Sequence, residues 1–261
     1  MDAAEAGRGG AGPKSVLGKV AAVLYAFTAD DTGVSLAELA RRTGIAKGTL
    51  HRLAGEMVEV RLLERAGRGY RLSGQVFQLG MRASVERGLL EVATPFMEDL
   101  YERTHETVHL GVLEGTEVVY VAKIGGHRQA AAPSRIGGRM PLYCTAIGKA
   151  LLAFGPPELF GVVVEGGLTR RTTRTITAPG LLRRQVARIA ETGVAFEYEE
   201  SAPGIVCVAA PVLDPFDRPV AAVSVTGPAT RFRPEAHRTS VKAAAAGIAG
   251  TLARRAALRA D

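Results

Sequence analysis

The hydrophobic and polar positions in the N-terminal quarter of the chain predict three short helices. Between Ser15 and Phe27, apolar residues recur every three or four positions, which indicates an amphipathic helix. A second helix opens after Ser35, because Ser35 and Glu38 have the spacing of a capping box in which Ser35 is the N-cap and Glu38 reaches back to it. This helix ends at Thr43-Gly44, and a short turn leads into a third helix.

The third helix and the residues after it complete a small domain. The helix spans Ala46 to about Val60, with an apolar stripe that includes Leu50 and Met57. Two short runs of strand-forming residues, 62–65 and 70–72, flank a glycine-containing loop and predict a hairpin. Helix, helix, tight turn, helix and hairpin in this order are typical of a winged helix-turn-helix.

The rest of the chain mixes helical and strand-like patterns. Residues 75–92 keep helical spacing and predict a linker helix between two modules. The later patterns do not alternate regularly as strand and helix, which favours an α+β domain with a mainly antiparallel sheet. The predicted strands are 107–113, 118–124, 205–213 and 220–226, and the predicted helices are 95–104, 147–154, 158–164, 181–192 and 234–258.

The net charge of +7 is concentrated at the two ends of the chain. Residues 13–72 hold ten Lys and Arg against six Asp and Glu, and residues 229–261 hold seven against two. Residues 93–228 are nearly neutral, with thirteen against fourteen. A basic N-terminal module joined to a neutral middle favours contact with a polyanion at the N-terminal end, whereas the basic C-terminal segment is expected to be a solvated helix face.

The third helix carries the residue types that a DNA-reading helix needs. In a helix-turn-helix, the second helix of the pair places its first residues on base edges in the major groove. Lys and Arg bind guanine or phosphate, Thr can bind either, and glycine lets the backbone approach closely. The alternative is an ordinary three-helix module with a solvated face. The predicted DNA-binding residues are Lys47, Gly48, Thr49, His51 and Arg52 on the helix, with Arg65, Arg68 and Arg71 on the hairpin as a wing.

One motif favours a different class of protein, a hydrolase. Residues 105–109 match the H-E-x-x-H sequence of zinc metalloproteases. That chemistry needs both histidines on one helix face, but Thr107 and Val108 indicate a strand, in which His105 and His109 would lie about 13 Å apart. A cysteine-dependent hydrolase is the other form of this alternative, although no histidine is near either cysteine in sequence. We therefore expect no catalytic residue, no metal and no cofactor.

The composition also limits the cellular context. Two cysteines, Cys144 and Cys207, cannot make a disulfide framework or a four-thiolate zinc site. Residues 1–13 are rich in Ala and Gly and contain acids, so we expect a disordered lead-in and not a signal peptide. No apolar run approaches the roughly eighteen residues of a membrane span. These features favour a cytoplasmic protein.

Seven stretches, in order, resemble the IclR family of bacterial transcriptional regulators over roughly residues 14–258. Three lie in the predicted winged helix-turn-helix and four in the C-terminal half. They are 36–40, 44–53, 70–72, 106–110, 141–153, 199–212 and 221–228. The stretch 106–110 resembles the family's first effector-domain strand, which accounts for the H-E-x-x-H match.

The resemblance implies an overall organisation and a set of partners. The DNA-binding domain would span residues 14–74, the linker helix 75–92, and a GAF-like effector domain 93–261. That domain would hold a six-stranded antiparallel sheet flanked by helices. The implied partners are double-stranded operator DNA, a small-molecule effector and further copies of the chain, in dimers or tetramers built partly through the DNA-binding domains and the linker helix.

The resemblance also implies an effector site. A helix that opens at residue 146 offers free N–H groups to a carboxylate, and alternate residues of one strand point the same way. The alternative is that each polar group is satisfied within a sheet core. That helix opens with bulky Ile147, and the preceding segment 129–132 is small-sided, which together favour an aromatic or apolar acid or amide. The implied residues are Ala132, Ala146, Ile147, Glu197, Cys207, Ser224 and Thr226.

Overall fold

The computed structural model describes residues 13–28, 30–80, 84–125 and 133–260. Two of the predictions fall on residues outside these ranges, namely the disordered lead-in, of which only Pro13 is described, and the effector-site residue Ala132. Contacts divide the chain after Ser84 into an N-terminal unit and a C-terminal unit.

The N-terminal unit has the order of helices and hairpin that the sequence predicts. β1 and β2 pair antiparallel around the two-residue loop Gly67-Arg68, so the predicted winged helix-turn-helix is confirmed. The elements are α1 (Val16–Tyr25), α2 (Leu36–Thr43), α3 (Lys47–Glu59), β1 (Leu63–Ala66), β2 (Gly69–Leu72) and α4 (Gly74–Gly80).

Capping contacts explain where α2 begins and ends. The Ser35 hydroxyl accepts a hydrogen bond from the Glu38 N–H at 3.2 Å, so the predicted N-cap is confirmed. The predicted return contact is wrong, because the Glu38 carboxylate accepts hydrogen bonds from Arg41 and Arg42 instead. Bonds from two guanidinium groups are stronger than a bond from a neutral backbone amide. Gly44 takes a left-handed φ of 68°, which ends α2 and turns the chain toward α3.

A single core holds the N-terminal unit together. Its buried side chains come from the helices and from the hairpin. The backbones of Val34 and Tyr70 exchange hydrogen bonds at 2.7 and 2.9 Å, which joins the segment before α2 to the wing. Because α3 buries Leu50, Leu53 and Met57 in this core, its opposite face is left at the surface.

The C-terminal unit is built on one six-stranded sheet. Its strand order is β5-β4-β3-β8-β7-β6, and each neighbouring pair is antiparallel, which confirms the predicted α+β fold. The elements are α5 (Ser84–Thr104), β3 (Thr107–Glu114), β4 (Glu117–Ile124), β5 (Arg139–Pro141), α6 (Ala146–Phe154), α7 (Leu159–Glu165), α8 (Pro179–Thr192), β6 (Ala195–Tyr198), β7 (Ile205–Leu213), β8 (Pro219–Pro228) and α9 (Arg238–Ala260), with short 3-10 helices at Leu142–Cys144 and Pro234–His237.

Helices cover both faces of the sheet, and each face has its own core. Along β7, Val206, Val208 and Ala210 pack against α5 and α9, whereas Cys207 and Ala209 face α6 and α8. This alternation follows from the two-residue period of a strand. The predicted effector-site residue Cys207 therefore lies on the face of the sheet that α6 covers.

The helical pattern differs from the prediction around Pro95. The predicted linker pattern over 75–92 corresponds to α4 and the first part of α5, with residues 81–83 between them outside the described ranges. The separate helix predicted over 95–104 is wrong, since α5 continues through Pro95. Val92 and Met97, on either side of Pro95, are buried in one core, and this packing stabilises the helix across the hydrogen bond that proline removes. None of the helices in the described ranges combines the length and the hydropathy of a membrane span.

Candidate DNA interface and effector cavity

The exposed face of α3 carries the residues that the sequence predicts for DNA contact. Lys47, Gly48, His51 and Arg52 are exposed, and Thr49 is half-buried. A Cβ atom at Gly48 would meet no atom within 4 Å, so packing within the chain does not require glycine there. The N-cap residue makes no side-chain hydrogen bond, and the first N–H groups of α3 are therefore available to a phosphate oxygen.

The three wing arginines are exposed, but their contacts differ. The Arg65 guanidinium lies over the Tyr70 ring, 4.5 Å from its centroid. Arg71 Nε lies 2.5 Å from Glu64 Oε1 on the paired strand. Arg68 lies in the hairpin loop and has no ion-pair partner among the described residues. Arg68 is thus the wing arginine that can reach a phosphate without giving up a contact.

A separate ion-pair network fixes α2 to the turn before it. Arg42 lies 2.6 Å from Asp31 and 2.8 Å from Glu38, and it also donates to the Ala26 carbonyl. The hydrogen bond from Arg42 lowers the pKa of Asp31 to about 2. Hydrogen bonds from Arg41 and Arg42 lower the pKa of Glu38 to about 2. Arg42 is therefore a structural cation, and its charge is neutralised within the unit.

A cavity in the C-terminal unit brings together the predicted effector-site residues that the structure describes. Its wall is formed by the start of α6, by strands of the sheet and by the segment before β5. Six of the seven predicted residues line it, and the seventh, Ala132, lies outside the described ranges. The lining residues are His109, Tyr120, Pro133, Ser134, Met140, Thr145, Ala146, Ile147, Glu197, Ser201, Ile205, Cys207, Ser224 and Thr226.

Strand register explains why residues far apart in sequence meet in this cavity. Glu197 pairs with Cys207 across β6 and β7, and Cys207 pairs with Thr226 across β7 and β8. Ser224 pairs with His109 across β8 and β3. Side chains of directly paired residues lie on the same face of an antiparallel sheet, so these five project together toward α6.

A chain of polar contacts crosses the floor of the cavity. Cys207 Sγ lies 3.0 Å from Thr226 Oγ1, which lies 3.4 Å from His109 Nδ1. His109 Nε2 lies 2.7 Å from Ser134 Oγ. Burial, assisted by the nearby Lys123 charge, lowers the pKa of His109 to about 3. The imidazole is therefore neutral near pH 7 and acts as a hydrogen-bonding group.

His109 is a lining residue that the sequence prediction missed. The H-E-x-x-H motif points to it only as a metal ligand. The alternation along β3 contains the missing information, because Val108 and Leu110 are buried in the opposite core while His109 lies between them. The sequence prediction also missed Tyr120 on β4, which lines the cavity. As for His109, strand alternation determines the face of the sheet on which Tyr120 lies.

Glu197 is a buried carboxyl with one satisfied oxygen. Oε1 accepts hydrogen bonds from the Ser201 N–H, at 2.9 Å, and from the Ser201 hydroxyl. Oε2 has no hydrogen-bond partner among the described residues. Burial raises the pKa of Glu197 to about 7. The side chain is only 3% exposed, so near neutral pH it changes between an acid and a carboxylate inside the cavity.

The N-terminus of α6 forms another part of the wall. Thr145 Oγ1 accepts a hydrogen bond from the Gly148 N–H at 3.0 Å, and the preceding N–H groups of Ala146 and Ile147 have no partner within the helix. A Cβ atom at Gly148 would lie 2.4 Å from the Leu142 carbonyl oxygen. Glycine therefore lets the start of α6 pack against the preceding 3-10 turn, which fixes the position of these N–H groups.

A buried ion pair fixes the position of α6, whose first residues line the cavity. Lys149 Nζ lies 2.6 Å from Glu200 Oε1 and donates to Gln185 Oε1 at 2.8 Å. The contacts join α6, α8 and the turn after β6. Burial raises the pKa of Glu200, and its Oε2 is buried with no hydrogen-bond partner in the described structure. The sequence prediction missed this pair because its members are 51 positions apart.

The geometry does not favour the hydrolase alternative. The H-E-x-x-H residues do not share a helix, since Thr107, Val108 and His109 lie in β3, and Glu106 forms an ion pair with Arg231. Burial raises the pKa of both Cys144 and Cys207 to about 12, which leaves them as weakly nucleophilic thiols. Among the described residues, no group of three His, Cys, Asp or Glu side chains could hold a metal ion.

A winged helix-turn-helix joined to an α+β unit with a cavity lined by both polar and apolar side chains is typical of one class, the ligand-responsive DNA-binding regulators. The chain belongs to the IclR family of bacterial transcriptional regulators. Residues 16–67 match the IclR helix-turn-helix domain, and residues 81–252 match the bacterial transcriptional regulator IclR C-terminal domain. The protein is therefore a DNA-binding transcriptional regulator with a C-terminal effector domain, and it is not an enzyme.

Individual relatives support the assignment over most of the chain. The HTH-type transcriptional regulator KdgR of Escherichia coli is 34% identical over 220 residues, which cover 83% of each chain. An IclR homolog from Microbacterium hydrocarbonoxydans, solved in complex with 4-hydroxybenzoate, is 31% identical with a TM-score of 0.85, covering 92% of this chain and 100% of that one. The Thermotoga maritima IclR structure is 29% identical with a TM-score of 0.74, covering 91% and 98%.

Proposed function

We propose that the protein binds operator DNA through α3 and the wing, and that a small organic acid or amide in the C-terminal cavity changes this binding. The observation that carries the proposal is the convergence of six predicted pocket residues on one cavity, in a chain whose N-terminal unit is a winged helix-turn-helix. A ligand in the cavity alters DNA binding through its different affinity for two arrangements of the DNA-binding domains.

The proposed organisation assigns a role to each part of the chain. Residues 14–74 bind DNA, residues 75–92 form the linker, and residues 93–261 bind the effector. The contact boundary after Ser84 falls inside this linker. The protein acts in the cytoplasm as a dimer or tetramer, because a two-fold pair of recognition helices matches a pseudo-palindromic operator with half-sites roughly 34–36 Å apart, or a multiple of that distance.

The proposed effector is an aromatic or apolar acid or amide. The complex of the Microbacterium homolog with 4-hydroxybenzoate supports this class. An acid group suits the N–H groups of Ala146 and Ile147, which the α6 dipole makes favourable for an anion. The cavity has a volume of about 20 Å³, comparable to the space one water molecule needs. An aromatic ring therefore enters only when lining side chains move, and the unbranched Met140 is suited to that.

The test of the proposed function measures DNA and ligand binding separately. A duplex that the wild-type protein selects from a random pool is titrated by fluorescence anisotropy at several salt concentrations. The affinity of the wild type should fall steeply with salt as counterions are released. Lys47→Ala and Arg52→Ala should abolish retention of this duplex, whereas Arg188→Ala, an exposed arginine on α8, should leave it unchanged.

The ligand arm uses the same proteins with 4-hydroxybenzoate. The ligand should raise the melting temperature of the wild type and of both α3 variants alike, because it binds the native C-terminal unit. Unchanged DNA retention in Lys47→Ala and Arg52→Ala would contradict the α3 assignment. A ligand that alters neither melting temperature nor DNA affinity would contradict the proposed effector class.

A further inference from the structure

Glu197 is the one carboxyl group among the described residues that line the cavity, and hydrogen bonds from Ser201 reach only one of its two oxygens. The side chain lines the cavity and is 3% exposed. Oε1 already accepts two hydrogen bonds from Ser201, and Oε2 has no partner in the described part of the chain. Because Oε1 is occupied by donors, a proton on Glu197 resides on Oε2. Oε2 is open to the cavity, since the one fully buried side-chain oxygen without a partner in the described structure is Glu200 Oε2. A ligand that fills the cavity without offering Oε2 a donor leaves it unpaired, which is costly.

The charged and titratable groups around Glu197 leave it without a cation of its own. Lys149 on α6 is paired with Glu200, and Arg171 donates to the Ser201 carbonyl. No described residue that lines the cavity is Lys or Arg. The other titratable neighbours are Cys207 on β7, Tyr120 on β4, His109 on β3 and Cys144 before α6.

These neighbours are neutral near pH 7. Burial raises the pKa values of Tyr120 and of both thiols, and it lowers the pKa of His109 to about 3. The surroundings therefore neither attract nor neutralise a second anion next to Glu197. A ligand carboxylate placed against Oε2 would add a like charge in a buried site.

We propose that the part of the effector facing Glu197 is a neutral hydrogen-bond donor, a hydroxyl or an N–H group, and that Glu197 selects effectors by this group. The inference rests on the proposed function and specifies its ligand as an acid with a donor at the opposite end. The acid group lies at the α6 N-terminus, and the donor completes the hydrogen bonding of Oε2. A site built to hydrogen-bond a ligand group discriminates against analogues that lack the group, because its own buried atom is then left unpaired.

The same geometry makes effector binding depend on pH with a defined sign. A donor from the ligand stabilises ionised Glu197, so the pKa of Glu197 is lower in the complex than the value of about 7 in the free protein. Binding then releases a proton, and affinity rises with pH up to about 7 and levels off above it. An acceptor or a carboxylate at this position would bind the protonated form, and its affinity would fall as pH rises past 7.

The experiment compares four ligands on the full chain by isothermal titration calorimetry. They share a benzoate core and differ only at the 4-position. 4-Hydroxybenzoate and 4-aminobenzoate carry a neutral donor, benzoate carries none, and terephthalate carries a carboxylate. We expect 4-hydroxybenzoate and 4-aminobenzoate to bind at least tenfold more tightly than benzoate and terephthalate at pH 7.5. The pKa of a phenol is about 10 and that of a carboxyl group about 4. Between pH 5.5 and 8 the phenol of the ligand therefore stays neutral and the ligand carboxylates stay ionised.

Two variants separate the role of Glu197 from that of the fold. Glu197→Gln keeps the size of the side chain and removes its titration, so the pH dependence of 4-hydroxybenzoate affinity should disappear. The affinity of this variant for benzoate should approach its affinity for 4-hydroxybenzoate. Glu191→Gln makes the same chemical change at an exposed position on α8 and should leave both properties as in the wild type.

Each outcome of this experiment decides the proposal. Equal affinity for benzoate and 4-hydroxybenzoate, or tighter binding at low pH, overturns the assignment of Glu197 while leaving the proposed aromatic acid class intact. Failure of all four ligands to bind overturns the ligand class as well. The salt-dependent DNA titration reports on the regulator function independently of either result.

Discussion

The DNA face of α3 and the cavity beside α6 use polar side chains in opposite ways. On α3, the cations are solvated, and the Arg52 side chain is 69% exposed while paired with Glu56. In the cavity, Glu197 is 3% exposed, and the other titratable groups that line the cavity are neutral near pH 7. Contacts at the exposed face are individually weak and screened by salt. In the cavity each hydrogen bond contributes more free energy, because a buried group left without a partner keeps its full desolvation cost.

The same contrast appears between two ion pairs within the C-terminal unit. Lys149 and Glu200 form a buried pair, with side chains 0% and 5% exposed. Arg103 and Asp99 form a surface pair on α5, with side chains 64% and 58% exposed. Both pairs have short contacts, of 2.6 and 2.8 Å. Distance alone therefore does not determine how much a pair contributes to stability.

The largest expected effect on stability comes from breaking the buried Lys149–Glu200 pair. Lys149→Met leaves Glu200 buried without a counter-charge and should lower the free energy of unfolding by about 3–5 kcal/mol. Arg103→Met, the matched change at the surface pair, should leave stability nearly unchanged. Urea denaturation of the full chain, monitored by circular dichroism, measures the free energy of unfolding. A thermal melt of the same variants gives a second measure of stability.

A double variant sharpens this comparison. Lys149→Met with Glu200→Leu removes both charges and should recover part of the lost stability, because no uncompensated charge then remains buried. Equal losses in Lys149→Met and Arg103→Met would show that burial does not set the contribution of these pairs. A double variant that is less stable than Lys149→Met would assign Glu200 a role beyond the pair.

The next effect is a pH dependence of stability that comes from Glu197. Burial raises the pKa of Glu197 from its ordinary 4.5 to about 7, so between these pH values the folded protein holds more protons on this residue than the unfolded chain does. Its contribution to stability is complete below about pH 4.5 and falls as pH rises to 7, by about 3 kcal/mol in total. Glu197→Gln should therefore gain stability relative to the wild type as pH increases.

Thermal and urea unfolding at pH 4.5, 6 and 8 measure this difference. The comparison uses the variant minus the wild type, so the titration of other groups cancels. Glu191→Gln serves as the exposed control and should show a difference that does not change with pH. The interpretation of Glu197 fails if the difference in stability between Glu197→Gln and the wild type is also constant over this range.

Local patterns in the sequence predicted the N-terminal unit better than the cavity. The predicted helix from Ala46 to about Val60 agrees with α3 at Lys47–Glu59, because a buried stripe and the turns at its ends lie within one short segment. The strand over the H-E-x-x-H motif was also predicted correctly from its β-branched residues. These features depend on neighbours in sequence, and spacing alone reveals them.

The missed features depend on contacts between distant segments. Strands β5 and β6 have three and four residues, too few to show a period, and pairing with longer strands determines them. Continuation of α5 through Pro95 depends on core packing. The family resemblance points to six residues that line the cavity, but His109 and Tyr120 can be recognised only once the sheet face on which each lies is known. The Lys149–Glu200 pair joins two elements and has no local signature.

The smallest expected effects compare two arginines of the wing. Arg68 has no ion-pair partner in the described structure, whereas Arg71 is held by Glu64 at 2.5 Å. If Arg68 contacts a phosphate, Arg68→Ala should reduce the salt slope of DNA binding by about 0.9, the value for one released counterion. Glu64→Gln should have the opposite effect, because it frees Arg71 and removes a negative charge beside the DNA. The gain in affinity at low salt should stay below about fivefold, since an exposed pair is weak. Anisotropy titrations over a salt series measure both changes, and a wing that does not touch DNA would leave the two slopes equal to that of the wild type.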